Sequence, residues 1–306
     1  MFYRYRNGFA RFIYDFSLRK ARDLPQIILD SDSNAVLVTM LQKKDITMYL
    51  LAVLSFVQYV KVTKIFVIND DSLNPTDIQI LKAVIPKITI LNKTSFRSQL
   101  CPKDGTWERL LAISELVNDY YVVQLDADTL SINPILDVQN CIFSQTAFTL
   151  GTATGRAIES MESRIESARA LLEKGYTHVQ HHTEANLDKI DDYKNLKYVR
   201  GCSGFAGFPH KSFSKDFIEN TSSRMFSVLG DKWAEWGSEQ VTSNIVVANI
   251  KASNVLPYPE YCSVDQIEQK TCFVHFIGTC RFKNGIYINK SKEILNKVLS
   301  DSARLH

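Results

Sequence analysis

YYVVQLDAD, residues 120–128, joins a run of apolar and β-branched residues to two aspartates separated by one alanine. A short run of this kind reads as a buried strand. Upstream, AVLVTM (35–40), KIFVI (64–68) and KITIL (87–91) have the same character. Stretches of helical length and pattern fall between them, at 46–60, 78–84 and 107–117. Asn74-Pro75-Thr76-Asp77 is a turn placed to cap the second of these helices. Strand and helix alternating at short intervals predict an α/β fold, Rossmann-like, with a mostly parallel sheet flanked by helices. Ligands of such sheets bind beyond the carboxyl ends of the strands. Asp70, Asp71, Asp126 and Asp128 all fall at predicted strand ends.

Working outward, the rhythm changes after Asn133-Pro134. A strand is expected at 148–150, an amphipathic helix at 157–174, helices at 215–229 and 239–248, and a late strand at 272–277. Residues 201–208 (GCSGFAGF) are glycine-rich, and 176–200 are polar and fit no regular pattern. No repeat, low-complexity tract or linker interrupts the chain, so residues 26–306 are expected to form one domain. Residues 1–25 stand apart as a basic aromatic segment.

The 306 residues carry a net charge of +3, unevenly placed. Residues 1–23 hold six basic against two acidic residues, a net +4, which leaves the remainder at about −1. Phe2, Tyr3, Tyr5, Phe9, Phe12, Tyr14 and Phe16 are interleaved with these charges. Such a segment either lies on an anionic membrane surface or packs as an amphipathic helix on the body of the protein. The slightly acidic remainder disfavours a nucleic-acid partner. No window of about 18 uncharged apolar residues suggests a membrane span. The N-terminus also lacks the pattern of a signal peptide. The six cysteines show no Cys-x-x-Cys spacing, which speaks against a zinc site of that kind and for reduced thiols. A cytoplasmic protein, peripheral at the inner membrane face, is the expectation.

Alternate residues of a strand point the same way, so Asp126 and Asp128 can present hard oxygen ligands to one cation. Mn²⁺ or Mg²⁺ suits carboxylates and bridges phosphate oxygens. Asp-x-Asp alone is a weak signal, because any acidic turn supplies it; the preceding apolar run strengthens it.

A second segment adds to it: His275-Phe-Ile-Gly278-Thr-Cys-Arg281-Phe-Lys283. Here the chain resembles the retaining GT-A glycosyltransferases of family 8, which include glycogenin and bacterial lipopolysaccharide galactosyl- and glucosyltransferases. Their late motif is His-x-x-Gly-x-x-Lys-Pro-Trp. His275 and Gly278 match it; Arg281 stands for the lysine, and Phe282 and Lys283 replace Pro and Trp. The resemblance implies His275 as a third metal ligand and Gly278, Arg281 and Lys283 at the diphosphate. Trp107-Glu-Arg109-Leu110 is similar to a stretch that touches the nucleotide, and Ser203-Gly204 to a segment near the donor sugar. Gly237-Ser-Glu239-Gln240-Val-Thr-Ser-Asn244 resembles Asp-Gln-Asp-x-x-Asn, which would bring Glu239 and Gln240 to the reacting carbon. One of Asp70 and Asp71 would contact the nucleoside.

The implied activity is metal-dependent transfer of a sugar from a nucleotide diphosphate, UDP-sugar by the likeness, to a hydroxyl of a glycan, glycolipid or protein. Retention of configuration and a role in bacterial surface glycan synthesis go with it. Residues 151–200 and the C-terminal part are expected on the acceptor side. Plainer readings compete at each position. His275 could be a core histidine, Glu239 a helix cap, Asp70 and Asp71 turn residues, and Trp233 and Trp236 core. His178, His181 and His182 read as an exposed loop. Two rival functions are a sugar-phosphate nucleotidyltransferase, for which Thr39-Met-Leu-Gln-Lys-Lys44 has the lysines but no glycine, and a non-catalytic carbohydrate-binding relative.

Overall fold

The computed structural model describes residues 2–303, with side chains for 7–278 and 280–300. The side chains of Phe2, Tyr3, Arg4, Tyr5 and Arg6, part of the basic aromatic segment, lie outside the described residues. Along the chain run α1 (Phe2–Ser17), β1 (Ala35–Leu41), α2 (Ile46–Val57), β2 (Lys64–Asn69), α3 (Pro75–Val84), β3 (Ile88–Asn92), α4 (Trp107–Leu116), β4 (Tyr121–Leu125) and β5 (Thr129–Ser131). Then come α5 (Leu136–Ser144), β6 (Phe148–Leu150), β7 (Ile158–Ser160), α6 (Met161–Glu173), α7 (Val179–Glu184), β8 (Lys197–Val199), β9 (Cys202–Phe208) and α8 (Lys215–Leu229). The last elements are α9 (Ser238–Asn249), β10 (Asn254–Val255), β11 (Tyr261–Ser263), β12 (Phe273–His275) and α10 (Ile286–Ala303). The protein is α/β, and seven strands make up its mostly parallel main sheet.

The chain forms two compact units built from separate stretches. Unit 1 comprises Met1–Leu91, Leu125–Gln139 and Tyr258–His306; unit 2 comprises Asn92–Gln124 and Asn140–Pro257.

In unit 1 the main-sheet strands follow the order β1-β2-β3, with β1 and β2 parallel from Val36↔Lys64 to Leu41↔Asn69. α2 is buried from Ile46 through Phe56, as expected of a helix apolar on every side. α3 begins at Pro75, three residues before its apolar pattern. Asn74 accepts the Asp77 N–H at 3.0 Å and the Asp77 carboxylate accepts the Asn74 N–H at 2.9 Å, with Pro75 in the first turn. Such a cap contributes about 1 kcal/mol. A small second sheet, ordered β11-β12-β5, completes the unit.

In unit 2 the order is β10-β6-β9-β4, with β6 antiparallel to β9, and β7 pairs with β8 as a separate ladder. The glycine-rich 201–208 segment is the buried strand β9. Gly207 sits opposite Phe148, and a Cβ there would lie 2.2 Å from that ring, so glycine marks a close approach and not a loop. The expected helix at 157–174 starts later, at Met161, because Ser160 caps it by accepting the Ser163 N–H at 3.2 Å; residues 158–160 are strand β7. The exposed-loop reading of the histidine cluster is corrected as well. His178 caps α7, whose Val179, Thr183 and Glu184 are buried. Polar residues conceal this helix from a hydrophobic-pattern reading because its buried face holds Thr and Glu.

Candidate functional site

β4 ends at Leu125, where unit 1 resumes, and the chain turns through Asp126-Ala127-Asp128 into β5. The carboxylates therefore converge across a turn, not by strand alternation. The Thr129 hydroxyl closes the turn on the Asp126 carbonyl at 2.8 Å. β12 lies antiparallel to β5 with His275 opposite Thr129, and the Phe276 N–H donates to the Asp128 carbonyl at 2.8 Å. This register carries His275 across 147 residues of sequence to place Nε2 3.2 Å from Asp128 Oδ1. The same Nε2 is 3.8 Å from Asp126 Oδ2. Asp126, Asp128 and His275 each offer a ligand atom within 4.8 Å of the others. Asp128 and His275 are buried and Asp126 half-buried.

Arg281 reaches the other Asp128 oxygen through Nη2 and donates from Nε to the Phe276 carbonyl at 3.2 Å. Burial alone would raise the Asp128 pKa, but His275 and Arg281 outweigh it and pull it down to about 2. Burial likewise opposes the charge on Arg281, and Asp128 reverses this and raises its pKa. Gly278 adopts a left-handed φ of +45° with open space where a Cβ would lie, so backbone conformation, not crowding, is its requirement. The donor set fits a hard divalent cation. It holds two carboxylates, one of them firmly ionised, and an imidazole. Because Arg281 engages Oδ2, Oδ1 remains the Asp128 oxygen on the His275 side.

Other expected residues of unit 1 have local partners. Lys283 is half-exposed and pairs with Asp265 at 2.8 Å. Asp70 accepts the Ser72 N–H at 3.0 Å, and Asp71, with φ +77°, donates its N–H to Asn69 Oδ1 at 3.0 Å. Both lie in the turn after β2.

Unit 2 gathers a second polar cluster. Gly237, at φ +109°, starts α9; a Cβ there would meet the His178 ring at 2.7 Å. The first turn then carries Glu239 and Gln240, where the helix dipole favours an acid. Glu239 is buried and accepts the Thr106 hydroxyl at 2.8 Å and the Ser203 hydroxyl at 3.4 Å. Arg109 Nη2 lies 3.7 Å from Glu239 Oε1 and donates to the Ser203 carbonyl at 3.4 Å. Gln240 Oε1 accepts the Ser203 N–H at 3.4 Å. Arg109, Ser203, Glu239 and Gln240, separated by up to 131 residues, thus meet in one cluster, with Gly204 following Ser203 in β9. Thr106 was missed by sequence reasoning, although it directly precedes the Trp107-Glu-Arg109 motif. Trp233 is buried and donates to Ser222 at 2.9 Å, whereas Trp236 is exposed.

No protein-family model matches the chain, and no curated protein matches it in sequence. Among solved structures, the glycosyltransferase GlyE of Streptococcus pneumoniae TIGR4 superposes with a TM-score of 0.52 at 14% identity, over 88% of this chain and 64% of GlyE. The apo WbbM bifunctional glycosyltransferase gives 0.50 at 12% identity, over 90% of this chain and 53% of WbbM. The fold is GT-A. This chain spans only about half to two thirds of those two proteins. In the GT-A frame, the Asp-Ala-Asp turn follows β4 of the main sheet and His275 arrives from the small sheet.

Proposed function

We propose that this chain is a metal-dependent glycosyltransferase that moves a sugar from a nucleotide diphosphate to an acceptor hydroxyl. The observation that carries the reading is the meeting of Asp126, Asp128 and His275 at the end of β4 in a GT-A fold. These three residues would hold Mn²⁺ or Mg²⁺, which supplies neutralising charge to a diphosphate leaving group. Arg281 pairs with Asp128 and adds positive charge beside the triad. In the reaction the bond from the anomeric carbon to phosphate oxygen breaks and a bond to the acceptor oxygen forms. The acceptor proton passes to the departing phosphate. Glu239 and Gln240 are assigned to the transferred sugar, Arg109 and one of Asp70 and Asp71 to the nucleotide, and Ser203 and Gly204 to the donor sugar. Gly278 and Lys283 are assigned to the diphosphate. The partial family 8 motif supports UDP-sugar as donor and retention of configuration.

The test is a nucleotide-sugar hydrolysis screen with Mn²⁺, run on wild type and Asp128→Ala. Metal-dependent turnover or binding of one donor, lost in the variant, is the expected result. Absence of metal-dependent binding or turnover for every donor would falsify the reading.

A further inference from the structure

The two sequence readings of the N-terminal segment, packed helix or membrane-surface helix, exclude each other only if α1 has one apolar face. It has two. Tyr14 points inward and is fully buried, as is Leu18 just beyond the helix. Phe9, Phe12, Ile13 and Phe16 point outward, exposed by 66, 66, 40 and 60%. Their spacing of three, four and seven places them on one stripe of the helix, about 10 Å long at 1.5 Å per residue. Single exposed apolar residues are ordinary, but an aligned stripe of three phenylalanines and an isoleucine marks an interaction surface.

Charge identifies what covers it. Arg11 is drawn inward to Asp45 and Asp15, and Arg22 donates to Thr47 at 3.1 Å. Arg19 and Lys20 remain exposed at the end of the stripe, with the Arg19 guanidinium 4.7 Å above the Phe16 ring. Asp23, also exposed, is the acid nearest to them in sequence. Residues 1–23 carry a net +4 in a chain of net +3. A second copy docked on this stripe would set Arg19 and Lys20 against the same two cations, which disfavours self-association. An anionic bilayer satisfies both halves: headgroup phosphates take the cations and the acyl boundary takes the phenylalanines.

The helix is also anchored. The Tyr14 hydroxyl bonds Ser291 at 2.8 Å, and its ring lies 4.6 Å from Tyr287 and 5.8 Å from Phe282. The Tyr287 ring stacks on Phe276 at 4.1 Å and its hydroxyl reaches the Ala127 carbonyl at 3.5 Å. Tyr14 on the inner face of α1 is thus packed onto Tyr287, which reaches the Asp126-Ala127-Asp128 turn, while Phe9, Phe12, Ile13 and Phe16 stay exposed among the described residues.

We propose that the Phe9–Phe12–Ile13–Phe16 face of α1, with Arg19 and Lys20, docks unit 1 onto an anionic lipid surface. The test is flotation of the full chain with vesicles of phosphatidylcholine alone or with added phosphatidylglycerol. It reads binding only, so it stands or falls independently of donor turnover. Wild type should float with the anionic vesicles and weaken as salt rises. Phe9→Ser, Phe12→Ser and Phe16→Ser should each reduce partitioning by about tenfold. Arg19→Ser and Lys20→Ser should each reduce it by roughly fivefold. Because these side chains are exposed, the variants should keep the wild-type melting temperature. Failure of wild type to float with anionic vesicles, or flotation of the triple phenylalanine variant as well as wild type, overturns the proposal. So does a wild-type dimer in sedimentation that the triple variant converts to monomer, since the face would then bind a second copy.

Discussion

Asp128 and Glu184 are both buried carboxylates beside an arginine, yet the protein moves their acidities in opposite directions. Asp128 divides its two oxygens between His275 and Arg281, and its pKa falls to about 2 against the pull of burial. Glu184, in unit 2, gathers Gln180, Tyr198 and Arg200 on Oε1 alone, at 3.0, 3.0 and 3.2 Å. Its Oε2 has no partner among the described residues. Burial dominates there, and despite Arg200 and Arg164 the pKa rises. At Asp128 the charges and hydrogen bonds of its partners outweigh burial, and at Glu184 they do not. An acid held ionised, with an imidazole at its side, is what a cation site requires. An acid whose burial is only partly compensated is a structural joint between α7, β8 and Arg200.

The comparison can be broken most forcefully at Asp128. Asp128→Ala should lower metal-dependent donor turnover by about 10³-fold, the several kcal/mol that a metal contributes at a developing charge. Glu184→Gln should leave turnover within a few-fold of wild type, and steady-state rates with Mn²⁺ would distinguish them. Next in size is Arg200→Ala, which strands Glu184 in the interior. Urea unfolding should show a loss of about 3 kcal/mol, the cost of breaking a buried pair from one side. Third, Mn²⁺ at about 100 times its dissociation constant should stabilise wild type by about 2.7 kcal/mol. His275→Ala should lose most of this gain, and thermal shift with and without metal measures it. The smallest effect is in pH dependence. Because the folded state raises the Glu184 pKa, its stabilising contribution is complete below the unfolded value of about 4.5 and is lost as pH rises through the folded value. Glu184→Gln removes that slope. Relative to wild type, the variant should therefore gain stability between acid and neutral pH; a variant that instead loses ground over this range would contradict the assignment.

Much of this architecture was readable in the chain. β1, β2 and β4 are short β-branched runs, and their observed bounds lie within a residue or so of the expected ones, because burial on both faces leaves a dense apolar signature. The Asn74–Asp77 cap was readable because its chemistry is local. The meeting of Asp128 with His275 was implied by the family likeness, and its geometric cause, the β5–β12 register, has no sequence signal of its own. Both strands have three residues. The Arg281–Asp128 pairing was not anticipated, since charge alone does not show which acid an arginine will choose. α7 and β9 were not readable, for opposite reasons. The inward face of α7 includes Thr183, bonded back to the Val179 carbonyl, and Glu184, which meets Tyr198 and Arg200 from beyond the helix. In β9, Gly207 is glycine because the Phe148 ring presses against it.

The Tyr14 anchor bears on how the N-terminal segment should be manipulated. Deleting residues 1–23 would remove the exposed phenylalanines, but also Tyr14, Leu18 and Ala21, all fully buried. Tyr287 and Ser291 would lose their cover, and Tyr287 packs directly behind the Asp-Ala-Asp turn. A shortened chain that proved inactive or insoluble would therefore report damage to unit 1 and say nothing about lipid. Changing side chains on the outer stripe while leaving Tyr14 in place separates the two roles of one helix.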